Sequence, residues 1–476
     1  MSDNIITLTI GNMCMVDPWV TSLEETLVVC RSGYSPFGKK TKEVTEALYY
    51  KHTLSDARLV GYVPAGLSER VADHLKIRGY SVVVDDIRKW AVPPTPDLSK
   101  IDFTALRDGQ DEMIEAVATK VNGVIEGPTG IGKSHIIWQI CRMYPQSRIV
   151  VATPRKSVVR TLYNRMRADP EISSEVGVLA SGVGKDRMSR IIVTTTKLMA
   201  RTPYEDCDLL LLDECHCAGA QGVAESLSKF SNARVFGFSA SPEGRGDKAD
   251  ILLEALVGPI RYKMPYQSGV ASGSIVPIDV VMVTNKTGPY MSRGYPRLAL
   301  KRYGVWTNKE RNTLIATVAS GFGDEQVLIL CETIEHAMNI RKHLPGWTTV
   351  YAGCDKARFE QFVAQGYTDE PYRNQKEMDA LQGEFETGRL RKAIATPIWR
   401  EGCDFRNLAV LIRADAMAGV IPSVQIPGRL SRTAVGKTSG LLIDFMDSFN
   451  EDLRRSSEAR LKAYKAKGWR IDVVQI

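Results

Sequence analysis

The chain has 476 residues, 44% of them hydrophobic and 25% charged, with 62 Lys and Arg against 55 Asp and Glu for a net charge of +7. These values exclude a fibrous or disordered chain and give room for two to four folded domains of roughly 100–200 residues each. No apolar run approaches the ~18–20 residues of a membrane span, the start Met-Ser-Asp-Asn has neither the basic residues nor the apolar core of a secretion signal, and nine cysteines without paired spacing fit reduced thiols in a cytoplasm rather than a disulfide framework.

The first 92 residues read as a small α+β unit, with strands over Ile5–Ile10, Thr26–Cys30, Arg58–Val63 and Ser81–Val84. Leu67, Val71 and Leu75 recur at helical spacing between Leu67 and Arg78 and mark a core-facing helix. His74 on that helix reads as a packed or solvated residue. The stretch 93–100 carries the end of a proline-rich break (Pro93, Pro94, Pro96) and reads as a linker. Short apolar strands then alternate with helical patterns, at Val124–Ile125, Ile149–Ala152, Ile191–Thr194, Leu209–Leu212 and Val235–Phe238. A second series follows at Ile278–Val283, Val327–Leu330, Thr348–Tyr351, Lys392–Thr396, Val410–Arg413 and Leu441–Phe445. Near-continuous apolar strands belong in parallel sheets covered on both faces, so two successive α/β units are expected. The chain closes on a basic helical pattern over Leu453–Lys467.

One octapeptide, Gly127-Pro-Thr-Gly-Ile-Gly-Lys133-Ser134, fits G-x-x-x-x-G-K-[ST] between an apolar run and a helical pattern, the setting that a phosphate-binding loop requires. Gly127, Thr129, Gly130 and Gly132 shape a loop whose N–H groups turn toward phosphate oxygens, Lys133 reaches the terminal phosphates and Ser134 holds Mg²⁺. Downstream, Asp208-Leu-Leu-Leu-Leu-Asp213-Glu214-Cys215-His216 delivers two carboxylates at the end of a buried strand. Asp213 suits the Mg²⁺ and Glu214 suits activation of the attacking water. Cys207, Cys215, His216 and Cys217 do not have the paired spacing of a zinc site.

With these motifs in order the chain resembles superfamily 2 helicases and translocases over roughly residues 100–450. Leu106-Arg107-Asp-Gly-Gln110 resembles the adenine-reading motif, with Gln110 as reader. Ala152-Thr-Pro154-Arg155 and Val193-Thr-Thr195-Thr196 resemble strand-contacting motifs. Ser239-Ala-Ser241 through Asp247 resembles the coupling motif, and Leu328 to Cys331 opens a nucleic-acid motif of the second unit. Thr396 and Gly402 with Asp404 resemble the fifth motif, and Gln425-Ile-Pro-Gly428-Arg429-Leu-Ser-Arg432 the sixth. The resemblance implies two tandem RecA-like domains behind a small N-terminal α+β accessory domain: residues 1–92 accessory, 101–265 lobe one, 266–450 lobe two, 451–476 a basic C-terminal helical segment. It implies ATP and Mg²⁺ as cofactors, Arg429 and Arg432 as arginine fingers, and His216, Ser239, Ser241 and Gln425 as residues that couple hydrolysis to lobe closure.

The narrower resemblance is to the XPB-like branch, including phage branch-migration helicases of the UvsW type. It rests on Val63-Pro-Ala-Gly66 through Tyr80, on Asn308-Lys-Glu-Arg311-Asn312, and on Asp444 to Asn450 with Arg460, Tyr464 and Trp469. The Arg-Glu-Asp motif and thumb insertion of XPB do not stand out. The expected activity is remodelling of branched DNA (forks, D-loops and four-way junctions) in a cytoplasm, a host's if the gene is a phage's, with recombination or replication proteins as partners and no membrane. RNA unwinding and a motor role in a restriction or defence complex are the alternatives. Arg293, Arg297, Lys301 and Arg302 interleave with tyrosines between Tyr290 and Tyr303, and with Lys39 and Lys40 they are expected to meet nucleic-acid phosphates. The C-terminal cations Arg454, Arg455, Arg460, Lys462, Lys465 and Lys467 read as a helix with a basic face, a further candidate for DNA contact.

Overall fold

The computed structural model describes all residues except 1–4, 35–39, 89–94, 203–205, 220, 228–229, 231–232, 242–248, 292–294, 400–402, 404, 418–419 and 476, and describes no side chains at 30–34, 40–44, 219, 221–222, 249 and 420–422. Contacts divide the chain into two units, residues 1–128 with 132–265, and residues 129–131 with 266–476.

The first unit opens with a five-stranded sheet in the order Tyr50–Thr53, Leu59–Pro64, Met13–Asp17, Ile5–Ile10, Ser81–Asp86. Its pairs are antiparallel except Ile5–Ile10 with Ser81–Asp86. Period-two alternation turns Ile6, Leu8 and Ile10 inward, where Leu67, just ahead of the helix Ser68–Ile77, and Val71 and Leu75 within it meet them. The strands Met13–Asp17, Lys40–Ala47 and Tyr50–Thr53 are additional to the expected ones. The last is exposed at every position, so it carries no apolar alternation to read.

This small sheet is anchored to the helix Ala249–Val257. Ala255 belongs to its core, Arg70 Nε donates to Glu254 at 2.9 Å, and Arg261 Nη1 donates to Glu69 at 2.8 Å. Gly66 lets the backbones approach, since a Cβ there would lie 2.2 Å from the Glu254 carbonyl oxygen.

The eight-stranded sheet of this unit runs in the order Gly184–Lys185, Val176–Ala180, Ile191–Thr195, Ile149–Thr153, Leu209–Asp213, Arg234–Ser239, Gly123–Glu126, Ile260–Lys263. Only the Gly184–Lys185 edge pairs antiparallel. Five expected strands are present, with Val176–Ala180, Gly184–Lys185 and Ile260–Lys263 in addition. Because the central strands are parallel, the segments that follow Glu126, Asp213 and Ser239 all leave by the same edge, where ligands gather in open α/β sheets.

The second unit is built on a seven-stranded sheet, Thr348–Val350, Lys392–Ala395, Val327–Leu330, Val410–Arg413, Gly440–Asp447, Ile278–Asn285, Arg470–Gln475, parallel throughout. Apolar clusters cover both faces. Two parallel α/β sheets with a small mixed sheet ahead of them are the two α/β units expected from the strand pattern and the RecA-like arrangement that the resemblance implies.

The end of the chain differs from a solvated basic helix. The helix Glu451–Ala466 and the edge strand Arg470–Gln475 join this sheet. Arg460 is fully buried, with Nε 2.8 Å from Asp444 Oδ2 and Nη2 3.0 Å from Oδ1. Tyr464 donates to Asp444 at 2.6 Å and accepts from Arg413 at 3.0 Å. Helical spacing places Arg460 on the face with Leu453, Ser457 and Tyr464, all buried. A count of cations along the sequence cannot tell that inner face from the outer one.

Candidate nucleotide site and nucleic-acid residues

The phosphate-binding loop follows the buried strand Gly123–Glu126 and enters the helix Lys133–Met143. Gly130 and Gly132 have φ of +94° and +96°, the left-handed region that a side chain resists. No side chain caps this helix at Gly132, and a helix N-terminus favours an anion. Lys133 is buried, and its Nζ donates to the carbonyls of Gly127 at 2.9 Å and Pro128 at 3.2 Å. Gln110 is buried beside the loop; a Cβ on Gly132 would stand 2.6 Å from its Nε2. Its Oε1 accepts from the Arg107 backbone N–H at 3.1 Å. The structure thus brings Gln110 to the loop and leaves the Arg107 side chain exposed.

Asp213 ends the strand Leu209–Asp213, buried at 6% exposure. Burial, then the neighbouring Glu214 charge, lifts its carboxyl well above the usual carboxylate range, against the pull of Lys133. Glu214 takes φ +52°, one of two positive values at non-glycine residues among those described. Such strain in an acidic residue beside a phosphate-binding loop is the kind that functional sites retain. His216 Nδ1 lies 3.3 Å from Glu214 and 3.2 Å from Ser239 Oγ. Burial would lower this imidazole, but hydrogen bonds to Cys217 and Glu214 outweigh it and raise it to about 10. Ser239 Oγ also accepts from the Ser241 N–H at 3.1 Å, so one hydroxyl joins the acidic strand end to the next strand. Residues 242–247 of that motif, Arg245 and Asp247 included, lie outside the described residues.

A buried Asp213 beside a partly exposed Glu214, with Lys133 and His216 both pulling on it, faces the same sheet edge as a loop of left-handed glycines and fits a divalent cation bound with a nucleotide phosphate chain. Ser134, half-buried in the first turn, and Asp213 are the candidate ligands. Among the described residues no cluster of three or more His, Cys, Asp or Glu forms a metal site of its own. Cys207 and Cys215 are buried thiols.

In the second unit Gln425 ends the helix Val420–Gln425, and Arg429 and Arg432 follow in and after the turn Pro427–Ser431. Arg429 is buried and donates from Nη1 to the Trp399 carbonyl at 2.6 Å. Arg432 donates from Nη1 to the Cys403 carbonyl at 2.8 Å. Gly402 and Asp404 lie outside the described residues.

The nucleic-acid candidates divide. Pro154 and Arg155 are half-buried at the entry to the helix Lys156–Arg167, which has no side-chain cap. Thr195 is buried and caps the turn Thr196–Met199, accepting from the Leu198 N–H at 3.3 Å; Thr196 is half-buried. Thr396 is buried, with its N–H on the Val350 carbonyl at 2.9 Å. Cys331 has no exposed surface and packs in an apolar cluster just past the strand Val327–Leu330, so its thiol is core. Lys301 is ion-paired with Glu332, and Arg302 with Glu335 at 2.9 Å. Both cations are therefore partly neutralised within their own unit, by carboxylates 31 and 33 residues further along the chain. Arg297 opens the short helix Arg297–Lys301 with its side chain exposed. Arg293 and Lys39 lie outside the described residues, and of Lys40 only the backbone is described, in the strand Lys40–Ala47. Sequence reading weighed Cys217 only against a zinc site and did not foresee its hydrogen bond with His216.

Comparison with known proteins agrees with this arrangement. The family described as "Type III restriction enzyme, res subunit" matches residues 103–244. A putative helicase of the Sulfolobus islandicus filamentous virus is 22% identical over 415 residues, 79% of this chain and 71% of that protein. The DNA 3'-5' translocase XPB2 of Sulfurisphaera tokodaii is 28% identical over 166 residues, 34% of this chain and 36% of its own length. Among solved structures, S. cerevisiae Dbp5 bound to RNA and ADP BeF3 shares the fold at 13% identity with a TM-score of 0.52, over 79% of this chain and 92% of that one. These matches make the chain similar to superfamily 2 helicases and translocases, ATP-dependent enzymes that bind nucleic acid. Among the described residues no helix is long and apolar enough to cross a membrane.

Proposed function

We propose that this protein is an ATP-driven DNA translocase that remodels branched duplexes. The observation that carries the enzymatic part is the buried Asp213 with the left-handed Glu214 beside it, on the same sheet edge as the Lys133 loop. Bound ATP with Mg²⁺ supplies the phosphoanhydride to be broken. Lys133 leaves its two carbonyl partners to hold phosphate, Ser134 and Asp213 hold the cation, and Gln110 orients the base. Glu214 orients a water and takes its proton, and His216 with Ser239 carries the state of that carboxylate to the next strand. Arg429 and Arg432 stabilise the charge that develops at the transferred phosphoryl group.

DNA as track is supported by the likeness to a DNA translocase and by the XPB-like flanking motifs. A branched substrate is supported by an accessory sheet anchored to the helix that follows the coupling motif, so that whatever it grips moves with the first unit. A second reading is favoured by a specific observation: the RNA helicase fal1 of Schizosaccharomyces pombe is 28% identical over 221 residues, 44% of this chain and 51% of its own length. ATPase stimulation by single strands, plain duplex, a fork, a four-way junction and RNA separates the readings. The largest response is expected with branched DNA, and a larger one with RNA would replace the first reading by the second.

A further inference from the structure

The helix Lys156–Arg167 carries four cations, Lys156, Arg160, Arg165 and Arg167, and no carboxylate. Val159, Leu162 and Met166 form its buried side. Lys156, Arg160, Asn164 and Arg167 are exposed, and helical spacing aligns them on the opposite side as one ridge. At ~1.5 Å per residue the ridge runs for about 16 Å. The carboxylates that follow in the chain are held by other elements. Asp169 accepts from Trp138 Nε1 at 2.8 Å and lies 3.6 Å from Arg142, Glu171 pairs with Arg142 at 2.8 Å, and Glu175 accepts from Arg190 Nε at 2.8 Å. Lys156 and Arg160 pair with no carboxylate among the described residues, and Arg167 donates to the neutral Ser173 carbonyl. The C-terminal helix Glu451–Ala466 differs: Arg454 pairs with Glu458 at 2.8 Å, Arg455 with Glu451 at 2.5 Å and Arg460 with Asp444 at 2.8 Å. Of two cation-rich helices, one matches its charge within the fold and the other presents it to solvent.

We propose that the ridge Lys156, Arg160, Asn164 and Arg167 is a docking surface for the phosphate backbone of a duplex DNA arm. This inference rests on the DNA reading above and deepens it. The helix starts where the strand Ile149–Thr153 ends, at Pro154 and Arg155. It must run back along the sheet, because the next strand, Val176–Ala180, lies parallel in the same sheet. A single strand held at Pro154 and Arg155, as the resemblance implies, passes only the first turn. A duplex arm lying along the helix meets the whole ridge, since phosphates of one DNA strand advance ~3.4 Å per base pair and the ridge spans about five. Lys156 supplies a point charge and Arg160 a planar fork. Asn164 adds a neutral donor, and Arg167, fixed by the Ser173 carbonyl, retains further donors. Such contacts position a duplex without reading its sequence.

The test is equilibrium binding of the full chain to a labelled synthetic forked duplex, a single strand of equal length and an RNA duplex over a series of salt concentrations. The variants are Lys156→Gln/Arg160→Gln/Arg167→Gln and, as a control with matched cations, Arg454→Gln/Arg455→Gln. Each lost phosphate contact removes about 0.9 from the slope of log K against log salt. The ridge variant is expected to lower the fork slope by about 2–3 and to weaken fork binding about tenfold or more, with less than about a twofold change for the single strand. The control is expected to change fork binding less than about twofold. An unchanged fork slope in the ridge variant overturns the inference. An equal loss for single strand and fork also overturns it, by making the ridge part of the single-strand track. So does an equal loss in the control, which reduces the ridge to general surface charge. Tighter wild-type binding to the RNA duplex than to the fork overturns DNA as the occupant. Arg160→Glu alone, a charge reversal at one exposed position, reads the same fork-specific loss if the triple variant does not fold. If wild type shows no salt-dependent binding to the fork, the DNA reading itself fails; if it does and the ridge variant matches it, only this inference fails.

Discussion

Asp213 and Asp444 each lie in a buried parallel strand, one in each unit, and are treated oppositely by their surroundings. Asp444 has two guanidinium groups and a phenol around it. Burial pushes its carboxyl up, but Arg460 and Arg413 pull harder and hold it below the usual carboxylate range. Asp213 has a second carboxylate beside it and a lysine turned to the loop carbonyls, and its carboxyl is raised. A charge that stabilises a fold is matched inside the fold. A carboxyl raised at a strand's C-terminal end, in spite of the pull of Lys133 and His216, is one that a bound cation would match.

That contrast can be broken by substitution, first through turnover. Glu214→Gln, Asp213→Asn and Lys133→Ala are each expected to lower ATP hydrolysis by about 10³-fold or more, read as phosphate release with Mg²⁺ present. A variant that keeps wild-type turnover removes the corresponding residue from the proposed site. Stability should then run the other way. Asp444→Asn leaves Arg460 without its carboxylate in a fully buried setting and is expected to cost about 3–5 kcal/mol in urea unfolding. Asp213→Asn removes a buried carboxyl raised by its surroundings and is expected to stay within about 1 kcal/mol of wild type or to exceed it. Equal losses in the two variants would end the comparison.

Acid sharpens it further. A carboxyl depressed in the folded state contributes stability above its unfolded pKa of ~3.9 and loses it as pH falls through the folded value. The second unit should therefore weaken below about pH 4, and Asp444→Asn should flatten that limb of a urea-midpoint against pH curve.

The smallest effects belong to the anchoring of the N-terminal sheet. Gly66→Val forces a Cβ against the Glu254 carbonyl and should cost about 1–3 kcal/mol. Arg70→Ala breaks an ion pair whose arginine side chain is 44% exposed and should cost about 0–1 kcal/mol. If Gly66→Val lowers DNA-stimulated ATPase more than basal ATPase, the anchored sheet takes part in substrate handling; equal effects would make it a stability element only.

The sequence by itself determined the two parallel α/β units, because strands buried on both faces must be apolar along their whole length. It also determined the phosphate loop with Asp213 and Glu214, because phosphate and cation chemistry demand those residue types at short range along the chain. Strands such as Tyr50–Thr53 were illegible because they are exposed at every position and owe their pairing to neighbours. Tertiary structure alone decided which cations are spent inside the fold. Arg460, Lys301 and Arg302 read as free charge in a linear count, and the carboxylates that hold them, Asp444, Glu332 and Glu335, come from other elements. It decided the left-handed Glu214 and the carbonyls that hold Arg429 and Arg432 for the same reason: main-chain oxygens carry no side-chain signature, and only folding brings them within hydrogen-bond distance.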